Sequence, residues 1–174
     1  MTRLLMLDLF SGTGSASAPM REAGWEVVRV ELDPAFDAEV TADVLTFEWR
    51  GGRPDLLWAS PPCTDYARES MPWCRTGKTP DPACVERVHE LVEAIQPRYW
   101  VLENVRGAVP YLGKPVRRVG PTYLWGRFPF FLAEHVFWKE KLSSKDVMRR
   151  SMIPRQIAEG LRLAIEAETK GEAA

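Results

Sequence analysis

The residues of this chain whose type and spacing could do chemistry are a cysteine, a glutamate and a glycine-punctuated turn. Cys63 closes the run Ser60-Pro61-Pro62-Cys63, directly after the apolar stretch Asp55-Leu56-Leu57-Trp58-Ala59. Two prolines fix φ and remove two backbone donors, so the chain can continue neither a strand nor a helix there, and the thiol is held on a stiff turn. A thiol so mounted suits nucleophilic attack if a neighbouring group handles the proton or charge on the electrophile. Glu103, directly after the apolar residues Tyr99-Trp100-Val101-Leu102, is the candidate for that group. The competing reading of Cys63 is a small buried hydrophobe; the Pro-Pro mount and the position of Glu103 speak against it.

A second constellation lies upstream. Asp8 to Gly14 (DLFSGTG) reads as a strand running into a glycine turn at a helix N-terminus, where the backbone can approach a ligand closely and negative charge is favoured. Glu31 follows at the end of the next strand, at about the ~20-residue distance at which such folds bind a ribose hydroxyl pair. Asp43, at the end of the third strand, could accept from an exocyclic adenine amine. Singly these acids read as solvated strand ends; in this order, they trace one nucleoside-like cofactor.

These residues need an alternating α/β frame. The pattern predicts strands at 4–10, 25–31, 40–44, 55–60 and 99–102, and helices at 16–23, 83–95 and 153–168. Residues 64–82 show no clear period and read as a long mobile loop that serves the active site. Residues 107–138 are punctuated by Gly and Pro, with an antiparallel strand expected at 130–137. The fold class is therefore α/β, Rossmann-like, with a mostly parallel central sheet flanked by helices, in one domain over 1–169 and a disordered tail at 170–174.

The 174 residues suffice for one core. No run is long and apolar enough to cross a bilayer, and Asp8 within the first apolar run argues against a signal peptide, so the expected location is cytoplasmic. Cys63, Cys74 and Cys84 are odd in number and miss zinc-site spacing, and His89 and His135 are isolated; no metal is expected. The formal net charge is −1. Yet between Arg98 and Arg127 stand six basic residues against one acid, Glu103, so one face could be basic.

The chain resembles the cytosine-C5 DNA methyltransferase family. The resemblance rests on DLFSGTGS at 8–15, Glu31, Asp43, Ser60-Pro61-Pro62-Cys63 and Glu103-Asn104-Val105, in the family's order over residues 8–105; Ser151-Met152-Ile153-Pro154 resembles the last family motif more loosely. It implies a compact, phage-type enzyme of restriction-modification or phage DNA modification, in a bacterial or phage-infected host cell. S-adenosyl-L-methionine is the implied cofactor, held by Asp8, Phe10, Ser11, Gly12, Thr13, Gly14, Glu31, Leu32, Asp43, Val44 and Pro61. Catalysis is implied for Cys63, which adds to cytosine C6, and for Glu103, which holds or protonates N3. Substrate contacts are implied for Ser60, Pro62, Asn104 and Arg106.

Two departures bear on the substrate. The family's Gln-x-Arg-x-Arg segment has no clean counterpart, with Arg117 and Arg118 or Arg127 as stand-ins. The large target-recognition region is also missing; only Lys114 to Trp138 lies in its place. That segment reads either as a reduced surface for phosphates and bases or as an irregular hairpin whose aromatics, Trp125, Phe128, Phe130 and Phe131, cover the sheet. DNA is the expected partner, with a partner protein or oligomer as a source of target recognition. RNA, a free cytosine nucleotide and a non-catalytic decoy are the rivals.

Overall fold

The computed structural model describes residues 3–133 and 152–172. Five short apolar runs form parallel strands: β1 (Leu5–Leu9), β2 (Glu26–Glu31), β3 (Val40–Thr41), β4 (Leu56–Ala59) and β5 (Tyr99–Asn104). An antiparallel hairpin, β6 (Arg117–Val119) and β7 (Thr122–Arg127), completes a seven-stranded sheet of order β3-β2-β1-β4-β5-β7-β6. The order reverses between β1 and β4, and in such open sheets ligands bind at the carboxyl edge beside that switch. The glycine turn after β1 and the Cys63 turn after β4 stand on either side of it.

Alternation along the strands feeds two cores. On one face Met6, Trp58, Val101 and Leu124 pack with Met20 of helix α1 (Ala18–Glu22) and with Ile157, Leu161 and Ile165 of the closing helix α5 (Arg155–Glu172). On the other, Leu7, Leu9, Leu57, Ala59 and Leu102 pack with Val85, Val88 and Leu91 of α3 (Ala83–Ile95). Two short helices remain, α2 (Thr64–Ser70) and α4 (Val109–Leu112).

Three expectations are corrected. The 64–82 segment is not without structure: its first seven residues are α2, because Tyr66 buries its ring in the second core and Ala67 N–H donates to Cys63 O at 2.8 Å. The Glu69 carboxylate then gathers the chain beyond, accepting from the backbone of Thr76 (2.8 Å) and Gly77 (3.0 Å). The antiparallel strands lie at 117–127 rather than 130–137: Gly120, at φ 57, takes the first central position of a two-residue turn, a place that favours glycine. Phe130–Ala133 is irregular, and 134–137 lies outside the described residues, as do His135 and Ser151. Finally, α5 runs to Glu172, past the tail expected from Lys170.

Candidate functional site

The Pro-Pro turn delivers Cys63 to the N-cap of α2, where the thiol is half-buried. The turn is held from β5, since the buried Asn104 donates from Nδ2 to Pro61 O at 3.2 Å and its Oδ1 accepts from Val105 N–H at 2.9 Å. Glu103 precedes it on the opposite face of the strand. Continuing the β4–β5 register past Ala59↔Leu102 sets Ser60 across from Glu103, so the Ser60 hydroxyl lies beside the Glu103 carboxyl and pulls its pKa down. Ser60 Oγ also accepts from Trp58 Nε1 at 2.8 Å.

Burial raises the Glu103 carboxyl to about 7, against the opposing pull of Ser60. Burial also pushes the Cys63 thiol up, and the nearby Glu103 charge adds to the rise. The helix N-terminus favours a thiolate, but at seven residues its pull does not reverse that direction. The pair is therefore an acid able to give or take a proton near neutrality beside a thiol that ionises more readily once that acid is neutral.

On the donor side, Gly12 (φ 48) and Gly14 (φ 73) adopt left-handed backbone, and Phe10 does so at φ 56, turning the chain out of β1. Glu31 closes this turn: its Oε2 accepts from Gly12 N–H at 2.7 Å and its Oε1 from Leu32 N–H at 2.9 Å. Asp43 is exposed, with Oδ1 accepting from Leu45 N–H at 2.9 Å, next to the buried Val44. Asp8 is 1% exposed beneath the turn; burial pushes it up to about 7, Ser17 and Arg29 pulling the other way. Residues 152–154 return to this edge, where Ile153 N–H donates to Ser15 Oγ at 2.8 Å.

The donor side fits a nucleoside-bearing cofactor on three counts. A Cβ built at Gly12 meets nothing within 4 Å, so the turn is open on the ligand side. Asp8 Oδ2 and Ser11 Oγ are buried without a hydrogen-bond partner. Leu32, beside Glu31, holds 64% of its surface exposed.

The substrate-side residues divide. Ser60, Asn104 and the exposed Pro62 gather at the Cys63 turn, and Arg106 is exposed in the next turn of the chain. Asn104 also ties the Cys63 turn to β5 through Pro61 and Val105, which uses one donor and one acceptor of its amide. Arg127 is corrected: β7 runs antiparallel, so its last residue pairs with Trp100 at the far end of β5 and donates to Pro97 O. Arg117 lies over the Phe130 and Phe131 rings, 4.6 and 4.3 Å from their centroids, and Arg118 over Tyr123. Sequence reasoning missed Trp58, Ser17 and Tyr66; the i, i+2 spacing of Trp58 and Ser60 was the available signal for the first.

A seven-stranded sheet of this order, with a glycine turn after β1 and an acid ending β2, is a Rossmann-like α/β fold. Among solved structures, the Entamoeba histolytica methyltransferase EhMeth shares it, with TM-score 0.50 and 15% identity over 82% of this chain and 58% of that one. The Pyrococcus abyssi tRNA (uracil-54, C5)-methyltransferase, solved with S-adenosyl-L-homocysteine, is a looser likeness (TM-score 0.40, 13% identity, 62% of this chain and 26% of that one). In sequence the chain is similar to a curated protein of Frog virus 3 (isolate Goorha), named "Probable DNA (cytosine-5)-methyltransferase": 33% identity over 116 residues, 57% of this chain. The match spans about half of that relative, 52% of its length. No family model matches the chain.

Among the described residues no helix is long and apolar enough to cross a membrane, and no three His, Cys, Asp or Glu side chains group as a metal site.

Proposed function

We propose that the chain transfers a methyl group from S-adenosyl-L-methionine to C5 of cytosine in DNA through a covalent adduct of Cys63 at C6. The observation that carries this reading is the pair itself: a thiol on a rigid turn beside a carboxyl whose pKa of about 7 lets it share a proton with a ring nitrogen at neutral pH. Cytosine C5 is a poor nucleophile until something adds at C6. Cys63, having given its thiol proton to solvent, forms the C6–S bond as Glu103 places its proton on N3, so the ring electrons move toward C5. Giving up that proton leaves Glu103 charged, and a negative charge beside a free thiolate disfavours it, so the proton is handed over only as the C6–S bond takes up the sulfur's charge. Once C5 carries the methyl group, a base takes the C5 proton, the C6–S bond breaks by β-elimination to expel Cys63, and N3 returns its proton to Glu103, which restores the aromatic ring. When bound, the cofactor supplies an electrophilic methyl group on a sulfonium sulfur. Gly12, Gly14, Glu31 and Asp43 would hold it, with Asp8, Phe10, Ser11, Thr13, Leu32, Val44 and Pro61 around them.

In a duplex the target base must first leave the stack, at a cost of a few kcal/mol. A partner protein or a second copy of the chain would complement the reduced 107–133 surface in recognising the target. One observation favours a second reading, the same chemistry on RNA or a free cytosine nucleotide: Arg117 and Arg118 are laid over aromatic rings and Arg127 points away from the edge.

The test is covalent trapping. Duplex DNA carrying 5-fluorocytosine, with S-adenosylmethionine, should form an adduct that Cys63→Ser abolishes. Adducts on RNA or nucleotide but on no DNA would move the assignment to the second reading; methyl transfer by Cys63→Ser would sink the mechanism.

A further inference from the structure

Glu103 does not face its pocket alone. Trp58 and Ser60 are two residues apart on one strand line, so both project to the face that carries Glu103. The indole is fully buried, packed in the core with Met6, Met20 and Val101, and is thus a fixed point. An indole N–H can only donate, so in the 2.8 Å contact Ser60 Oγ must accept. That leaves the single Ser60 hydrogen free to point at the Glu103 carboxyl, which the β4–β5 register sets across from it.

A neutral carboxyl has one acceptor oxygen and one hydroxyl. If a donor is fixed against one oxygen, that oxygen must be the acceptor, and the acid's proton resides on the other. We propose that Ser60, anchored by the Trp58 indole, is a positioning residue for Glu103: its hydroxyl occupies one carboxyl oxygen and thereby keeps the acid's proton on the remaining one. Ser60 touches no reacting atom in this scheme. Its work is to hold the acid in one of two protonation geometries before substrate arrives, so that no reorganisation is needed during proton transfer. The consequence for catalysis rests on the transferase reading above; the arrangement of the free protein does not.

Among the described residues, the groups that face Glu103 are few. From the turn after β4 it is Cys63, which senses the Glu103 charge. Across β7 the registered neighbour is Leu124, and beyond it Arg117 of β6 is stacked on Phe130 and Phe131.

The experiment follows the 13Cδ resonance of Glu103 against pH in the free protein, assigned by its loss in Glu103→Gln. Wild type should titrate near 7. Ser60→Ala should titrate higher by about 0.5 to 1 on the pH scale, the pull of one hydrogen bond on the charged form. Ser60→Thr, which keeps the hydroxyl, should titrate as wild type does. An unmoved midpoint in a folded Ser60→Ala protein would overturn the proposal, as would a Ser60→Thr midpoint displaced as far as that of Ser60→Ala. Because no substrate or cofactor is present, the result stands apart from the trapping experiment. Where trapping succeeds, Ser60→Ala should also move the acid limb of the kcat–pH profile in the same direction, and an unmoved limb would count against the catalytic role.

Discussion

Replacing Gly107 by alanine should separate the two halves of the site. Gly107 lies in the turn Arg106–Ala108 that follows Glu103-Asn104, and α2, which carries Cys63 at its N-cap, rests directly on that turn. A Cβ at Gly107 would sit 2.0 Å from Tyr66 O, 2.7 Å from Tyr66 C and 3.0 Å from Ser70 Cβ. The obstruction is helix backbone, which cannot turn aside as a side-chain tip can, so α2 must retreat by about 1 Å, and a misplacement of that size can lower catalytic rate about 10²-fold. The overpacked contact should cost about 1–3 kcal/mol, lowering Tm by about 2–4 °C for each kcal/mol. Thermal unfolding followed by circular dichroism gives the stability, and the rate of Cys63 alkylation by iodoacetamide, read by peptide mass spectrometry, gives the position of α2. Since Tyr66 is only 3% exposed and anchors α2, its displacement should open the turn and speed alkylation. A Gly107→Ala protein with unchanged Tm and unchanged alkylation would refute the claim that the β5 turn sets the place of Cys63.

Two further substitutions probe the donor side. Asp8→Asn should flatten the pH dependence of stability: the folded pKa of about 7 lies above the ordinary 3.8, so the stability linked to Asp8 is fully present below about pH 4 and is lost as pH rises through 7. The loss is on the order of 4 kcal/mol at most, and urea unfolding of wild type and variant at pH 5 and pH 8 measures it; equal slopes in the two proteins would refute it. Gly12→Ala should cost about 1 kcal/mol of stability for its left-handed backbone and weaken S-adenosylhomocysteine binding roughly ten- to hundredfold, because the new methyl enters the open side of the turn. Calorimetry reads this directly, and an unchanged Kd would mean that the ligand lies elsewhere.

The parallel half of the sheet was legible in the sequence because its strands are buried on both faces and read as plain apolar runs, as Leu56-Leu57-Trp58-Ala59 does. The helix Ala83–Ile95 was legible for the complementary reason, a clean apolar face at Val85, Val88 and Leu91. The hairpin was hidden: Arg117, Arg118 and Arg127 are unusual residues for a strand, and only the stacking of Arg117 and Arg118 on rings explains their presence there. Helix α2 was hidden because its seven residues, TDYARES, have one apolar anchor, Tyr66, and its partner, Gly107, lies 41 residues along the chain. Within the site, residue types gave Cys63, Glu103, Gly12 and Glu31. They could not show which side chains are also tied to the backbone, as Asn104 is through Pro61 and Val105.

The two acids on this sheet face, Asp8 and the partly buried Glu103, illustrate what the third dimension adds. Asp8 and Glu103 lie on the same sheet face, each raised by burial to about 7, and the residue between them is Trp58, paired with Asp8 through the β1–β4 register and joined to Glu103 through Ser60. The influences on Asp8 are its burial, Ser17, Arg29, Glu31 and Glu39; those on Glu103 are its burial and Ser60. Neither carboxyl is among the named influences on the other. A donor pocket and an acceptor pocket on adjacent strands can therefore carry separate pH responses. The Asp8 response belongs to the stability of the glycine turn and the Glu103 response to proton handling at the cysteine, so Asp8→Asn should leave the Glu103 midpoint where it is.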